Sequence, residues 1–284
     1  MRKKILIILA ALMLLFAALP ALDEDTSAAG EKALSLLAIN VRKADALLLR
    51  CGNTAYLIDT GTKESYEKMY QVLRDEGITR LTGVILTHTD KDHAGGLIGL
   101  INSDITIENV YASEYFNKKN ESKHPAVKVL KGTGQEVVFL SGGDTLPLDG
   151  GKLTVLGPIE PDDEKENNNS LVLLAEGGGG SMLLTGDMEF PEEESLLEAG
   201  LIPHASVLKV GNHGNGDATS EALIDAVSPS IAIISTNTED KPDSPDPRVL
   251  ELLNSRNIAV LMPQDTANGV LVTIKGGQIL TEQK

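Results

Sequence analysis

The chain has 284 residues, a formal net charge of −16, five histidines and one cysteine. Such acidity excludes a surface that binds nucleic acid at large, so a polyanionic substrate must be drawn in by a metal ion or by loop lysines. The lone Cys51 excludes an internal disulfide and a cysteine-based zinc site, and reads as a small buried hydrophobe near a strand end. At the N-terminus, Arg2-Lys3-Lys4 precede an apolar run from Ile5 to Ala18 that continues weakly to Leu22. This pattern predicts an export signal over residues 1–22, with an uncleaved membrane anchor as the alternative because the run approaches spanning length. Either way the protein is expected to be exported, extracellular or attached to the outer face of the cytoplasmic membrane. Residues 23–33 read as a polar linker, and residues 34–284 as one α/β domain, long enough for a sizeable core and expected to be monomeric.

The domain opens with three short strands, predicted at 34–41, 46–50 and 54–58, and closed by Asp59-Thr60-Gly61. Tyr66, Met69, Tyr70 and Leu73 then fall at the i, i+3, i+4, i+7 spacing of one apolar helix face. A buried strand at 83–87 runs directly into His88-Thr89-Asp90-Lys91-Asp92-His93. His88, Asp90, Asp92 and His93 can all bind a divalent cation, and imidazole mixed with carboxylate suits zinc, manganese or iron better than magnesium or calcium. Behind them, Ala94-Gly95-Gly96-Leu97-Ile98 would let a helix start tight against whatever the cluster holds.

Two further segments repeat the arrangement of an apolar strand ending in a ligand type. Strands at 170–175 and 181–185 are joined by a glycine-rich loop, and the second leads into Gly186-Asp187, where the carboxylate is either a turn residue or a ligand. A strand at 207–210 ends in Gly211-Asn212-His213-Gly214, whose glycines permit close backbone approach. The remaining histidines, His124 and His204, flank prolines in loops and read as solvated or capping residues. Lys118, Lys119, Lys123 and Lys128 read as a solvated helix face beside Tyr111, Tyr115 and Phe116. Glu192-Glu193-Glu194 after Pro191 suit the first turn of a helix, and Asp246-Pro247 the cap and first turn of a helix to Asn254.

Seven motifs recur in one order: Ile39-Asn40-Val41, Ala44-Asp45-Ala46, Leu57-Ile58-Asp59-Thr60-Gly61, the run from Thr87 through His93 to Gly96, Asn168-Asn169-Ser170-Leu171, Leu184-Thr185-Gly186-Asp187, and Leu208-Lys209-Val210-Gly211-Asn212-His213-Gly214. In order and spacing they resemble the metallo-β-lactamase fold hydrolases, and within them the hydrolase domains related to the bacterial DNA-uptake competence channel. The resemblance covers about 36–279 and implies an α/β architecture, a four-layer αβ/βα sandwich with a metal site at the strand-end edge. It further implies that His88 and Asp90 serve one metal position, Asp92 and His93 a second, that Asp187 bridges the two, and that His213 closes the second. Asn168 or Asn169 stands where other branches have a third histidine, so Asn168, Asn169 and Asn212 are candidate supporting amides. The implied cofactor is one or two divalent transition-metal ions, zinc first and manganese next. The implied chemistry is attack by a metal-activated water on an ester, amide or phosphodiester, with Asp92 both ligand and acceptor of the water's proton.

Three departures from the pattern bear on that expectation. Asp90 replaces a histidine usual in the wider superfamily, though aspartate is familiar in the competence-related branch. Asn212-His213-Gly214-Asn215 stands where relatives usually show His-His-Gly-Ser, and Ser244-Pro245 where they often carry a histidine before the proline. These departures favour one tightly held ion at the second position over two. The expected function is an exported metal-dependent hydrolase of a phosphodiester or related ester, and the alternative is a catalytically weak or inactive binding domain of the cell envelope on the same fold. The substrate is a small molecule or a polyanion, with nucleic acid drawn in by family analogy alone.

Overall fold

The computed structural model describes residues 32–117 and 120–284. The predicted leader, nearly all of the linker, and Lys118 and Lys119 lie outside the described residues.

The opening strand Leu34–Ile39 is apolar at almost every position because it is covered on both sides. Leu34, Leu36 and Ala38 enter a central core, whereas Leu37 and Ile39 enter an outer one. The period of two along the strand decides this partition, and the same division holds for Leu47–Cys51 and Thr54–Ile58. These strands belong to an eight-stranded sheet ordered Gln278–Gln283, Gly269–Lys275, Leu34–Ile39, Leu47–Cys51, Thr54–Ile58, Gly83–Leu86, Val110–Ser113 and Val137–Leu140. A seven-stranded sheet, ordered Ala259–Leu261, Ile231–Ile233, Val207–Lys209, Gly180–Leu184, Val172–Gly177, Gly151–Gly157 and Thr145–Leu148, stacks on its inner face. Leu173, Ala175, Met182 and Leu184 meet the first sheet in the central core, while Val172, Leu174 and Leu183 face outward.

Helices cover both outer faces. Tyr66–Asp75, Leu97–Ile101 and Pro125–Leu130 lie on the first sheet, Phe190–Glu198, Glu221–Val227 and Pro247–Ser255 on the second. The result is the expected four-layer αβ/βα sandwich. Within it Gly83–Leu86 pairs in parallel with both neighbours, and Gly180–Leu184 and Val207–Lys209 pair in parallel with each other. The carboxyl ends of these strands deliver His88, Asp187 and His213 to one edge, the usual position of a site in an α/β fold.

Local differences from the sequence reading have physical causes. The helix expected after Ala94 begins inside the motif, as Lys91–Ala94 with Asp90 at its N-cap, and a second helix, Leu97–Ile101, follows. Gly95-Gly96 between them presses on the chain after Asp59: a Cβ on Gly96 would lie 2.2 Å from Thr60 O. The loop predicted over 176–180 is a two-residue hairpin, with Gly177 opposite Gly180 and both Gly178 and Gly179 at positive φ. Asp246 caps Pro247–Ser255 by accepting from Arg248 N at 2.8 Å, as its sequence predicts. His124 caps Pro125–Leu130 but is not solvated: it is buried between Phe116 and Phe139.

The acidic first turn of Phe190–Glu198 falls where the sequence predicts it, and Glu192 and Glu193 in it are buried. Glu193 accepts from Thr219 N and Ser220 N, tying this helix to the start of Glu221–Val227. Glu192 accepts from Ile159 N at 3.0 Å, and burial pushes its carboxyl up to about 7 against the pull of that bond. A carboxyl whose folded value lies above its unfolded value of 4.5 weakens the fold once pH exceeds about 7, and the cost fades as pH falls toward 4.5. Glu192→Gln keeps an acceptor for Ile159 and removes the charge. It is expected to raise stability by roughly 1–3 kcal/mol at pH 8, with the gain gone near pH 5, in urea titrations at both values.

Candidate metal centre

Three imidazoles converge at the strand-end edge, His88 and His93 with ring centroids 4.1 Å apart and His93 and His213 5.4 Å apart. Each is held through Nδ1. His213 Nδ1 lies 2.8 Å from Ser235 O, an atom that can only accept, so Nδ1 carries a hydrogen. His93 Nδ1 lies 2.7 Å from Asp59 Oδ2 and donates to that carboxylate. Asp59 is buried and fixed by Thr87 N and Thr87 Oγ1, each at 2.8 Å. Because the Thr87 hydroxyl proton goes to Asp59, its oxygen is left to accept from His88 Nδ1 at 3.1 Å. All three rings therefore present Nε2 to one space, and all three Nε2 atoms are buried with no hydrogen-bond partner among the described residues, as is Asp187 Oδ1. A histidine whose Nδ1–H is anchored and whose Nε2 is bare has the arrangement of a metal ligand.

The carboxylates complete the pattern. Asp187 Oδ2 lies 3.2 Å from His93 Nε2 and 3.3 Å from His213 Nε2, and Asp92 Oδ2 lies 3.4 Å from His213 Nε2. Ligands about 2.0–2.1 Å from a tetrahedral zinc are separated from one another by about 3.3–3.4 Å, so these four side chains are spaced for a shared ion. They are the cluster Asp92, His93, Asp187 and His213, whose ligand atoms all lie within 4.8 Å of one another. Asp187 arrives there because Gly186 turns at φ 53° and lacks a Cβ that would meet Ser170 Cβ at 2.9 Å; its backbone N then donates to Ser170 Oγ at 3.1 Å. His213 arrives through strain, since it and Asn212 are consecutive residues at positive φ, 44° and 55° for Asn212 and His213 respectively.

Charge in the metal-free centre follows. Burial would lower the His213 and His93 imidazoles, but Asp187 outweighs it, holding His213 up at about 9 and His93 well above its ordinary value. Burial would raise Asp92, but His213 and His93 hold it down at about 2, and they likewise hold Asp187 far below the carboxylate range. His88, by contrast, is pulled down to about 3 by burial and by His93. Positive charge is thus demanded between Asp187, His93 and His213, and protons stand in for it when no ion is bound.

The other residues singled out in the sequence divide. His88 borders the cluster with Nε2 bare, and Asp90, half exposed, comes within 3.9 Å of that atom. The amides turn elsewhere. Asn169 Nδ2 donates to Asp162 O and its Oδ1 accepts from Asp162 N; Asn168 Nδ2 donates to Asp162 Oδ2 and its Oδ1 accepts from Glu189 N. Asn212 Nδ2 donates to Asp217 Oδ1 at 3.0 Å. These three hold loops around the centre and point no donor atom into it. His204 is exposed and distant from these contacts.

Residues not singled out as site residues lie directly behind the ligands. Asp59 orients His93, Ser235 orients His213, and Asp45 with Lys209 forms an ion pair at 2.9 Å, both side chains fully buried. Asp45 also receives no aligned hydrogen bond on either oxygen among the described residues, so the Lys209 charge is what offsets its burial and keeps it ionised. A lone charged residue inside the apolar strand Val207–Lys209 is the sequence signal that could have found this pair.

Comparison with known proteins agrees with this geometry. The sequence profile of the Metallo-beta-lactamase superfamily matches residues 39–238. The chain belongs to that superfamily. ComE operon protein 3 of Bacillus subtilis is 30% identical over 221 residues, covering 72% of this chain and 28% of its own length. Competence protein ComA of Neisseria gonorrhoeae is 28% identical over 221 residues, covering 76% and 29%. The chain thus spans under a third of the curated relatives it matches. Among solved structures, the metallo-beta-lactamase fold protein YhfI from Bacillus subtilis superposes with a TM-score of 0.56 at 13% identity over 84% of this chain and 98% of that one. Zinc-bound PqqB from Methylobacterium extorquens gives 0.54 at 15% identity over 80% and 86%. Metallo-beta-lactamase superfamily members typically bind one or two divalent ions, and the His/Asp cluster here is where this chain has the donors for them.

Proposed function

We propose that this protein is an exported metal-dependent hydrolase acting on a phosphodiester or related ester. The observation that carries the reading is the spacing of Asp92, His93, Asp187 and His213 around one point, with bare Nε2 atoms aimed at it. Zinc suits this mixed nitrogen and oxygen set, with manganese next. An ion held there supplies a water of lowered pKa and a positive charge opposite the charge that develops in the ester. In this reading Asp92, whose side chain is 35% exposed while its cluster partners are buried, orients the attacking water and takes its proton; its exposure supports that role. His88, Asp90 and Asp187 Oδ1 are the donors available to a second ion, with none added by Asn168 or Asn169. This supports one tightly held ion before two. Phosphodiester is chosen over other esters by family analogy, which also keeps nucleic acid among the substrates; export rests on the apolar leader pattern.

The reading is tested by the metal content of the purified chain together with hydrolysis of bis(4-nitrophenyl) phosphate. One or two zinc or manganese ions per chain, with turnover that disappears on chelation and returns on reloading, is the expected result. A chain that takes up no ion after reconstitution would instead be a binding domain on a hydrolase fold.

A further inference from the structure

Sharing Asp92 with the metal centre, a groove of about 440 Å³ is lined by Arg42, Lys43, Glu64, Asp240 and Lys241. Its three cations stand beside three carboxylates, Glu64, Asp92 and Asp240, a balance that the chain at large, of net charge −16, does not have. Arg42 is neutralised, since its Nε donates to Asp240 Oδ2 at 2.6 Å. Lys43 is not. It is half-buried, and its Nζ donates to Asn215 Oδ1 at 3.1 Å, a neutral acceptor that holds the ammonium in place without cancelling it. Asn215 Nδ2 donates in turn to Asn212 Oδ1 at 2.9 Å, so the lysine is tethered to the loop that presents His213. Asn212 and Asn215 are the two positions at which this loop departs from the usual His-His-Gly-Ser. Lys241 is exposed and its ammonium makes no ion pair among the described residues; Glu64 is exposed, where solvent and salt screen it.

We propose that this groove is a phosphate subsite, in which Lys43 and Lys241 hold a phosphate of the substrate adjacent to the one being hydrolysed. The inference rests on the diesterase reading and narrows it to diesters that carry a second phosphate. Ammonium-to-phosphate hydrogen bonds are charge-assisted, and one donor fixed beforehand by a neutral tether loses less freedom on binding than a free surface lysine. The net negative charge of the chain then works in the same direction, disfavouring a polyanion wherever no cation offsets it.

The test compares thymidine 5′-(4-nitrophenyl phosphate) with its 3′-phosphorylated form on the zinc-loaded full chain. The wild type is expected to show a KM about tenfold lower for the second substrate with little change in kcat, and the gap should close in Lys43→Gln/Lys241→Gln. Asn215→Asp, which keeps the tether but neutralises Lys43, should narrow it. Equal KM values in the wild type, or a gap that survives in the double variant, would overturn the subsite. Should neither compound be hydrolysed, the diesterase reading fails by itself. The subsite is then decided by the anisotropy of fluorescein-labelled tetrathymidylate on the zinc-loaded chain: about tenfold weaker binding in the double variant supports it, and equal binding overturns it.

Discussion

Asp187→Asn is expected to lower zinc affinity more than about 100-fold and to take hydrolysis of a chromogenic diester with it, while the chain stays folded. Among the described residues, Asp187 is the one carboxylate within 4.0 Å of two imidazoles, at 3.2 Å from His93 Nε2 and 3.3 Å from His213 Nε2, and its other oxygen is buried without a partner there. An amide preserves the shape of the side chain, but it carries no charge and presents an NH₂ on one of the two ligand positions. Loss of the charge also removes the largest of the influences that hold His93 and His213 protonated in the metal-free state, leaving Asp59 beside His93 and Asp92 beside His213, so the effect is electrostatic as well as geometric. Asn169→Ala serves as the contrast. Its amide is committed to Asp162, so it should leave zinc affinity within about threefold, whatever it costs in loop order. Competition against a chromogenic chelator measures both. Zinc affinity within threefold of wild type in Asp187→Asn would remove the cluster from consideration as the metal centre.

What could be read in the sequence was set by how local the cause is. The strands that could be read, from Leu34–Ile39 to Val207–Lys209, were visible as buried apolar runs, whereas strands such as Thr145–Leu148 and Gln278–Gln283, buried on one face or on neither, were not; the motif after Gly83–Leu86 was visible because ligand types crowd into six residues. Asp187 and His213 each stand alone in sequence, and their convergence depends on parallel pairing between Gly180–Leu184 and Val207–Lys209, a contact between distant segments. The amides show the limit from the other side. Asn168 and Asn169 occupy the stretch where a ligand was anticipated, yet Asp162, only six and seven residues earlier, captures their polar atoms in a loop whose conformation no spacing rule predicts. Likewise Asp59 and Ser235 matter only through the Nδ1 atoms they anchor. Ser235 acts through its backbone carbonyl, so its side-chain identity carries no signal at all.

Lys209→Met is expected to destabilise the metal-free chain by about 3–5 kcal/mol, the usual consequence of stranding one member of a buried ion pair. Lys209 ends a strand of the seven-stranded sheet while Asp45 sits in the loop between two strands of the eight-stranded one, and both side chains are excluded from solvent. The Lys209 ammonium also donates to Val210 O at 2.9 Å, whereas the Asp45 carboxylate accepts no aligned bond from any described residue. Removing the lysine therefore leaves a desolvated carboxylate facing a centre already rich in acid. Asp45→Asn/Lys209→Met removes both charges and should recover most of the loss, since a neutral pair of similar volume often replaces a buried ion pair at little cost. Asp45 also ties the ligand loop through its backbone, donating from N to Asp92 O at 3.2 Å and accepting from Gly61 N at 2.7 Å, contacts that both substitutions retain. A divalent ion would replace the protons of His93 and His213 with an equal charge, so the destabilisation by Lys209→Met should be much the same in zinc-loaded and chelated protein near pH 7. Urea unfolding of the wild type, Lys209→Met and the double variant, with and without zinc, measures each of these differences. If Lys209→Met and the double variant were equally unstable, the lysine would be acting through the packing of its aliphatic stem, and its charge would have no part in balancing the centre.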